Sequence, residues 1–175
     1  MKPKNREAAT YVVKSCIIAM LFYVLFSYLP VERVTSDFTA QVLNSFGISA
    51  ESYEEAGRIY LEYLQISIDC TALEIMAIFL GLILAAKSTL TKRVLFSLFT
   101  FFCVFFANIA RISIVYYLLE KGIPWYLAHD LFSGGLSIAA GIAFLMLSEH
   151  YLPQINENLY TLLDAAETRL NLRKR

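Results

Sequence analysis

Cys70, Arg111 and His129 are the residues of this chain whose chemistry combines into a reaction. A thiol attacks a carbonyl as its thiolate, a form that nearby positive charge favours. A guanidinium can stabilise the oxyanion of a tetrahedral intermediate, an effect of about 3 kcal/mol for one well-placed donor. An imidazole can protonate the leaving amine and then deprotonate the acceptor. Together they could carry out acyl transfer. Three more residues stand close by in the sequence. Asn108 lies three positions before Arg111 on the same helical face, within reach of the guanidinium or a substrate amide. Glu74 lies one turn after Cys70, where it could pair with Arg111 or sit as a protonated core carboxyl. Asp130 follows His129 and could orient it, although adjacent residues on a helix point in different directions.

Each of these residues also has a plain structural reading. Cysteine is common in apolar helices as a small hydrophobe, and Cys16 and Cys103 are read that way. A lone histidine at a helix start is more often an interfacial polar group. Arg111 is harder to explain away, because a charge inside an apolar helix is costly and marks a functional site by default.

The elements that must position these groups follow from composition. The chain has 175 residues, 58% of them hydrophobic and 17% charged, and its mean hydropathy is +0.56. A soluble domain is about 45–50% apolar and about a quarter charged. Intrinsic disorder is excluded. An odd set of 3 widely spaced cysteines argues against a disulfide scaffold. Fifteen Lys and Arg against 15 Asp and Glu, with no basic stretch interleaved with aromatics, argue against nucleic-acid binding. An integral membrane protein remains.

A helix needs about 20 mostly apolar residues to cross about 30 Å of hydrocarbon. The sequence predicts four such spans, at about 11–29, 70–86, 94–119 and 129–147. The first follows Lys2, Lys4 and Arg6 but is longer than a signal-peptide core and lacks a cleavage site, so it is read as a retained helix. Orientation follows from Lys and Arg near the spans. Lys2, Lys4, Arg6 and Lys14, then Lys87, Lys92 and Arg93, then Arg169, Arg173, Lys174 and Arg175 all fall on one side when the spans alternate. The segment 30–69 is acidic. The expected fold is therefore an all-α integral membrane protein of four transmembrane helices, N-in and C-in, in a cell membrane. Residues 1–155 form one transmembrane domain, and 156–175 an amphipathic cytoplasmic tail. Cys70, Arg111 and His129 then meet at the extracytoplasmic boundary. Arg111 lies eight residues before Leu119, or about 12 Å of helical rise.

The outer connections carry structure of their own. Val34, Phe38, Val42, Leu43 and Phe46 recur at helical spacing, which predicts an amphipathic helix lying on the outer interface. Leu64, Ile66 and Ile68 alternate with polar residues, which predicts an extended piece leading into Cys70. Pro124, Trp125 and Tyr126 read as an interfacial aromatic anchor. Gly134, Gly135 and Gly141 would permit close helix contact in the fourth span.

Asp69-Cys70-Thr71-Ala72-Leu73-Glu74 resembles the Cys motif of the exosortase/archaeosortase family. Asn108-Ile109-Ala110-Arg111 resembles its N-x-x-R motif, and Ala128-His129-Asp130 its His motif. The resemblance covers about residues 10–155. Many members have Gly two residues after the Cys, where this chain has Ala72. The resemblance implies a membrane cysteine transpeptidase, with Cys70 as nucleophile, Arg111 as oxyanion stabiliser and His129 as acid and base. It implies substrates that are membrane proteins with a C-terminal signal made of a motif, a transmembrane helix and a basic cluster, and a lipid acceptor for the new C-terminus. It implies no cofactor and no metal. Leu152-Pro153 and the helical tail look more like the archaeal branch. Three rival readings compete. One is a small metal or solute transporter using Cys70, His129, Asp130 and Glu74. Another is a quinone-linked thiol-redox protein, which would need paired cysteines. The third is a serine protease using Ser133, which lacks a G-x-S-x-G elbow.

Overall fold

The computed structural model describes residues 3–173. Lys2, Lys174 and Arg175, which entered the orientation argument, lie outside the described residues. The chain runs α1 (Pro3–Ser27), α2 (Val31–Ser45), three short strands β1 (Ser52–Glu55), β2 (Arg58–Leu61) and β3 (Leu64–Ile66), a 3-10 turn (Ile68–Thr71), α3 (Leu73–Ala85) and α4 (Leu90–Glu120). A π-helical turn (Tyr126–Leu131) then opens α5 (Phe132–Tyr151), and α6 (Gln154–Arg173) follows.

Three of these helices are long and apolar enough to cross a membrane: Lys4–Ser27, Leu90–Glu120 and Tyr126–Tyr151. Their outward side chains are large and apolar, such as Met20, 69% exposed, and Met146, 72% exposed. In water such belts would be a liability, whereas in lipid they face a solvent as apolar as themselves. The protein is a mostly helical, multi-pass membrane protein.

The stretch 70–86 is not one continuous helix. The 3-10 turn ends at Ala72, whose φ of 56° and ψ of 21° are left-handed, and only then does α3 begin. Its 13 residues rise about 20 Å, short of the roughly 30 Å of a hydrocarbon core. α3 is a short central element of the bundle. It packs closely along α1, and Gly81 is what permits that approach. A Cβ at Gly81 would collide with the Ser15 carbonyl and stand 2.9 Å from the Ala19 Cβ. Gly134, Gly135 and Gly141, expected to serve close contact, face open space instead. The close-packing glycine therefore lies in the short helix, where two backbones meet.

α2 forms as expected, and its hydroxyl-bearing face is the one that packs inward. Thr35, Ser36, Thr39, Ala40 and Leu43 are buried, while Phe46 is 80% exposed and Val34 and Phe38 are also exposed. Helix association within a membrane favours small and hydroxyl residues at the contact. Ser36 donates to the Tyr60 carbonyl across that contact at 3.1 Å.

The extended piece before Cys70 is the last strand of an antiparallel meander, β1-β2-β3. Ala56 and Gly57, both with positive φ, make the two-residue turn between β1 and β2, the conformation that suits the twist of a hairpin. Leu61 and Ile66 bury one face of the meander against Leu43, Ile112 and Tyr116. A second core lies toward the other end of the bundle. Tyr11, Ile83, Phe96, Phe144, Leu152 and Ile155 meet there, with Phe79 stacked on Phe144 at 3.9 Å. The first turns of α6 belong to this core, and Asn156 is buried against Ser148 and the Leu145 carbonyl.

Candidate active site

Cys70 sits in the 3-10 turn, held from both sides. Thr71 Oγ1 donates to the Ile68 carbonyl at 2.6 Å and accepts from the Leu73 N–H at 3.4 Å. Left-handed Ala72 then redirects the chain into α3. The break turns the Cys70 carbonyl toward α4. There it accepts from Asn108 Nδ2 at 2.8 Å and from an Arg111 terminal nitrogen at 3.2 Å. The i, i+3 spacing that puts Asn108 and Arg111 on one face thus converges on one acceptor. The Cys70 Sγ lies 3.7 Å from Ser67 Oγ.

Asn108 is 4% exposed, and its Oδ1 has no partner among the described residues. A guanidinium carries five N–H donors, so the single bond to Cys70 leaves Arg111 others to offer. No carboxylate pairs with Arg111 among the described ion pairs. A positive charge with no ion-pair partner among the described residues thus borders the thiol and favours a thiolate or an oxyanion, with the Asp69 carboxylate in the same cavity wall opposing it.

His129 lies in the π-helical turn, a local geometry frequent at functional sites. Its Nδ1 stands 2.9 Å from Asp130 Oδ1, and its ring lies flat on Trp125 at 4.5 Å, 11° from parallel. The widened turn lets the adjacent residues His129 and Asp130 meet. A carboxylate on Nδ1 leaves Nε2 as the nitrogen free for proton transfer.

Cys70, Arg111 and His129 all line one cavity of about 570 Å³, with Ser67, Asp69, Trp125 and Ser133 in its wall. Asn108, bonded to the Cys70 carbonyl, and Asp130, bonded to His129 Nδ1, are not among the residues that line it. Glu74 is not brought into this group. It is exposed in the first turn of α3 and forms no ion pair among the described residues. Trp125 was expected as an interfacial anchor, and its contact with the imidazole was not anticipated. The signal was its i, i+4 spacing from His129. Tyr63 also lines the cavity, stacked on Tyr116 at 5.7 Å. Its phenol is pushed up to about 12, first by partial burial and then by the Glu120 carboxylate, so it stays neutral wherever a thiol titrates.

The rival readings fare differently. Among the described residues no group of three or more His, Cys, Asp or Glu could hold a metal ion, so the metal transporter is not favoured. Cys16, Cys70 and Cys103 are all free, without the pairing that redox exchange needs. Ser133, 7% exposed, has a hydroxyl without a partner among the described residues, in the cavity wall.

Fold and site together define a multi-pass helical membrane protein with a thiol, a guanidinium and an imidazole around one cavity. The family model for transmembrane exosortases matches residues 8–148, and the chain belongs to that family. Its general role is accordingly that of a membrane transpeptidase. No curated protein and no solved structure matches it.

Proposed function

We propose that the chain is a cysteine transpeptidase that cleaves C-terminal sorting signals of membrane-anchored surface proteins on the extracytoplasmic side. The Cys70 thiolate attacks the scissile carbonyl, and Arg111 stabilises the resulting oxyanion. His129 gives a proton to the departing amine, which leaves a thioester on Cys70. His129 then takes a proton from the acceptor as it attacks that thioester, and the C–S bond breaks to release the Cys70 thiolate beside the protonated imidazole. A lipid headgroup amine or hydroxyl is the acceptor in this reading, with water as the competing one.

The observation that carries the reading is that three elements distant in sequence bring a thiol, an uncompensated guanidinium and an oriented imidazole to one cavity. The orientation rests on the Lys and Arg asymmetry, which puts the cavity outside. α3 is read as the fourth span. Its 13 residues are extended by the 3-10 turn, which adds about 8 Å. Leu152-Pro153 and α6 favour the archaeal-like branch.

The experiment is co-expression of a candidate membrane-anchored surface protein with the wild-type chain or Cys70→Ala, reading the substrate's C-terminus by mass spectrometry. Processing should stop in a variant that inserts normally. Continued processing by Cys70→Ala would end the proposal.

A further inference from the structure

β3 is the last strand of its sheet and pairs only with β2 among the described residues, so its other edge is free. Two residues, Glu62 and Tyr63, connect β2 to β3, and Leu61 stands opposite Leu64. In a two-residue hairpin that closing pair is the hydrogen-bonded one, and bonded and non-bonded pairs then alternate. Leu64 and Ile66 therefore direct their N–H and C=O groups to β2. Gln65 directs both of its groups to the free edge.

The free edge fronts the cavity. Every residue from 63 to 67 lines it. Side chains of a strand alternate between faces, so a cavity that touches five consecutive residues meets the edge of the strand and not one face. The chain continues through Ser67 into the turn that carries Cys70, and His129 lies in the same wall. The edge is also held rigidly in place. Ile66 is buried against the α4 residues Ile112 and Tyr116, next to Arg111, and Tyr63 stacks on Tyr116.

We infer that the free edge of β3 is the substrate-peptide site: residues flanking the scissile bond bind extended, as an added strand whose backbone pairs with Gln65. The inference rests on the peptidase reading and adds how the peptide is held. Backbone groups on a free strand edge recognise an extended peptide of any sequence, and side-chain pockets add selectivity. Pairing also fixes the distance between the bound residues and Cys70, which selects the bond that is cut.

The test needs no knowledge of the natural signal. Acetyl-tetraalanine vinyl sulfone presents a peptide backbone without side-chain bulk, and the thiol adds across its vinyl group with no leaving group. The rate of Cys70 adduct formation by the full chain in detergent is read by mass spectrometry. It is compared with methyl vinyl sulfone and with four probes N-methylated at single residues. The tetraalanine probe should react faster than methyl vinyl sulfone. N-methylation should slow it roughly tenfold at the one residue whose N–H the Gln65 carbonyl accepts, and little at the other three. Gln65→Pro should bring the peptide probe down to the methyl vinyl sulfone rate, leaving methyl vinyl sulfone itself unchanged, while Gln65→Ala should behave as wild type. A peptide advantage indifferent to N-methyl position would overturn edge pairing and leave the peptidase reading standing. Absence of any peptide advantage would overturn edge pairing as well. The peptidase reading itself is decided separately by Cys70→Ala in the processing assay.

Discussion

Asn108 donates its Nδ2 hydrogen to the carbonyl oxygen of Cys70 at 2.8 Å, from a side chain buried in the middle of α4. A residue thirty-eight positions away thus positions the backbone of the reactive thiol, and Arg111 shares the same acceptor. Asn108→Asp would replace that donor with an acceptor and set a carboxylate beside Arg111. It would cancel the positive charge that faces the thiol, and the thiolate would be disfavoured. Iodoacetamide labelling of Cys70 at a fixed neutral pH should slow roughly tenfold, the effect of about 1.4 kcal/mol, and should recover as pH is raised. Labelling equal to wild type at every pH would show that Asn108 and Arg111 do not set the charge around Cys70.

Ala72 carries the cost of the turn that frees the Cys70 carbonyl. A left-handed conformation costs a non-glycine residue about 1–2 kcal/mol, and Ala72 has φ of 56°. Ala72→Gly should relieve this, offset by the greater flexibility of glycine when unfolded. The expected net gain is about 1 kcal/mol, seen as a rise of roughly 2–4 °C in thermal midpoint in detergent. Ala72→Val, with a branched Cβ in the same conformation, should lower the midpoint instead. If Gly and Val variants melt alike, the turn is not left-handed in solution.

The apolar helices and Arg111, one of the three predicted catalytic residues that line the candidate site, were legible in the sequence for a common reason. Membrane helices must satisfy their backbones internally, so their apolar runs stand out, and Arg111 stands out against them. What was not legible depended on contacts between segments. The apolar stripe of α2 predicts a helix whose apolar side meets the membrane interface, but it does not say what the hydroxyl face packs against. In this chain the hydroxyl face is buried, with Ser36 bonded to Tyr60, because lipid takes the apolar side. β1 and β2 were missed because Ser52–Glu55 is polar and its pairing with Arg58–Leu61 depends on a turn at Ala56-Gly57. The glycines of α5 drew attention by number, whereas Gly81 matters by position.

That position makes a third prediction. Gly81→Ala places a methyl group against the Ser15 backbone and the Ala19 side chain, neither of which can swing away. Overpacking of a tight contact costs typically about 1–3 kcal/mol, so the midpoint should fall by several degrees. Ala19→Gly cannot relieve the clash with the Ser15 carbonyl, and the double variant should stay below wild type. Gly135→Ala, with open space around it, should be close to neutral. Equal effects of the two glycine substitutions would mean that α1 and α3 do not approach as closely as described.

Trp125 and Asp130 fix the imidazole from two directions, one under the ring plane and one at Nδ1. Neither touches the thiol, so both act through His129. Loss of the platform lets the ring rotate about its χ angles and misaims Nε2. Misplaced acid–base groups forfeit part of an effect of about 10²–10⁴, so Trp125→Ala should lower processing of a co-expressed substrate roughly tenfold. Trp125→Phe, which retains a flat face, should recover most of the loss. Iodoacetamide labelling of Cys70 should change little in Trp125→Ala, because the thiol and Arg111 are untouched. A merely structural role for the tryptophan would predict the reverse: both readouts would fall together, and phenylalanine would rescue neither or both.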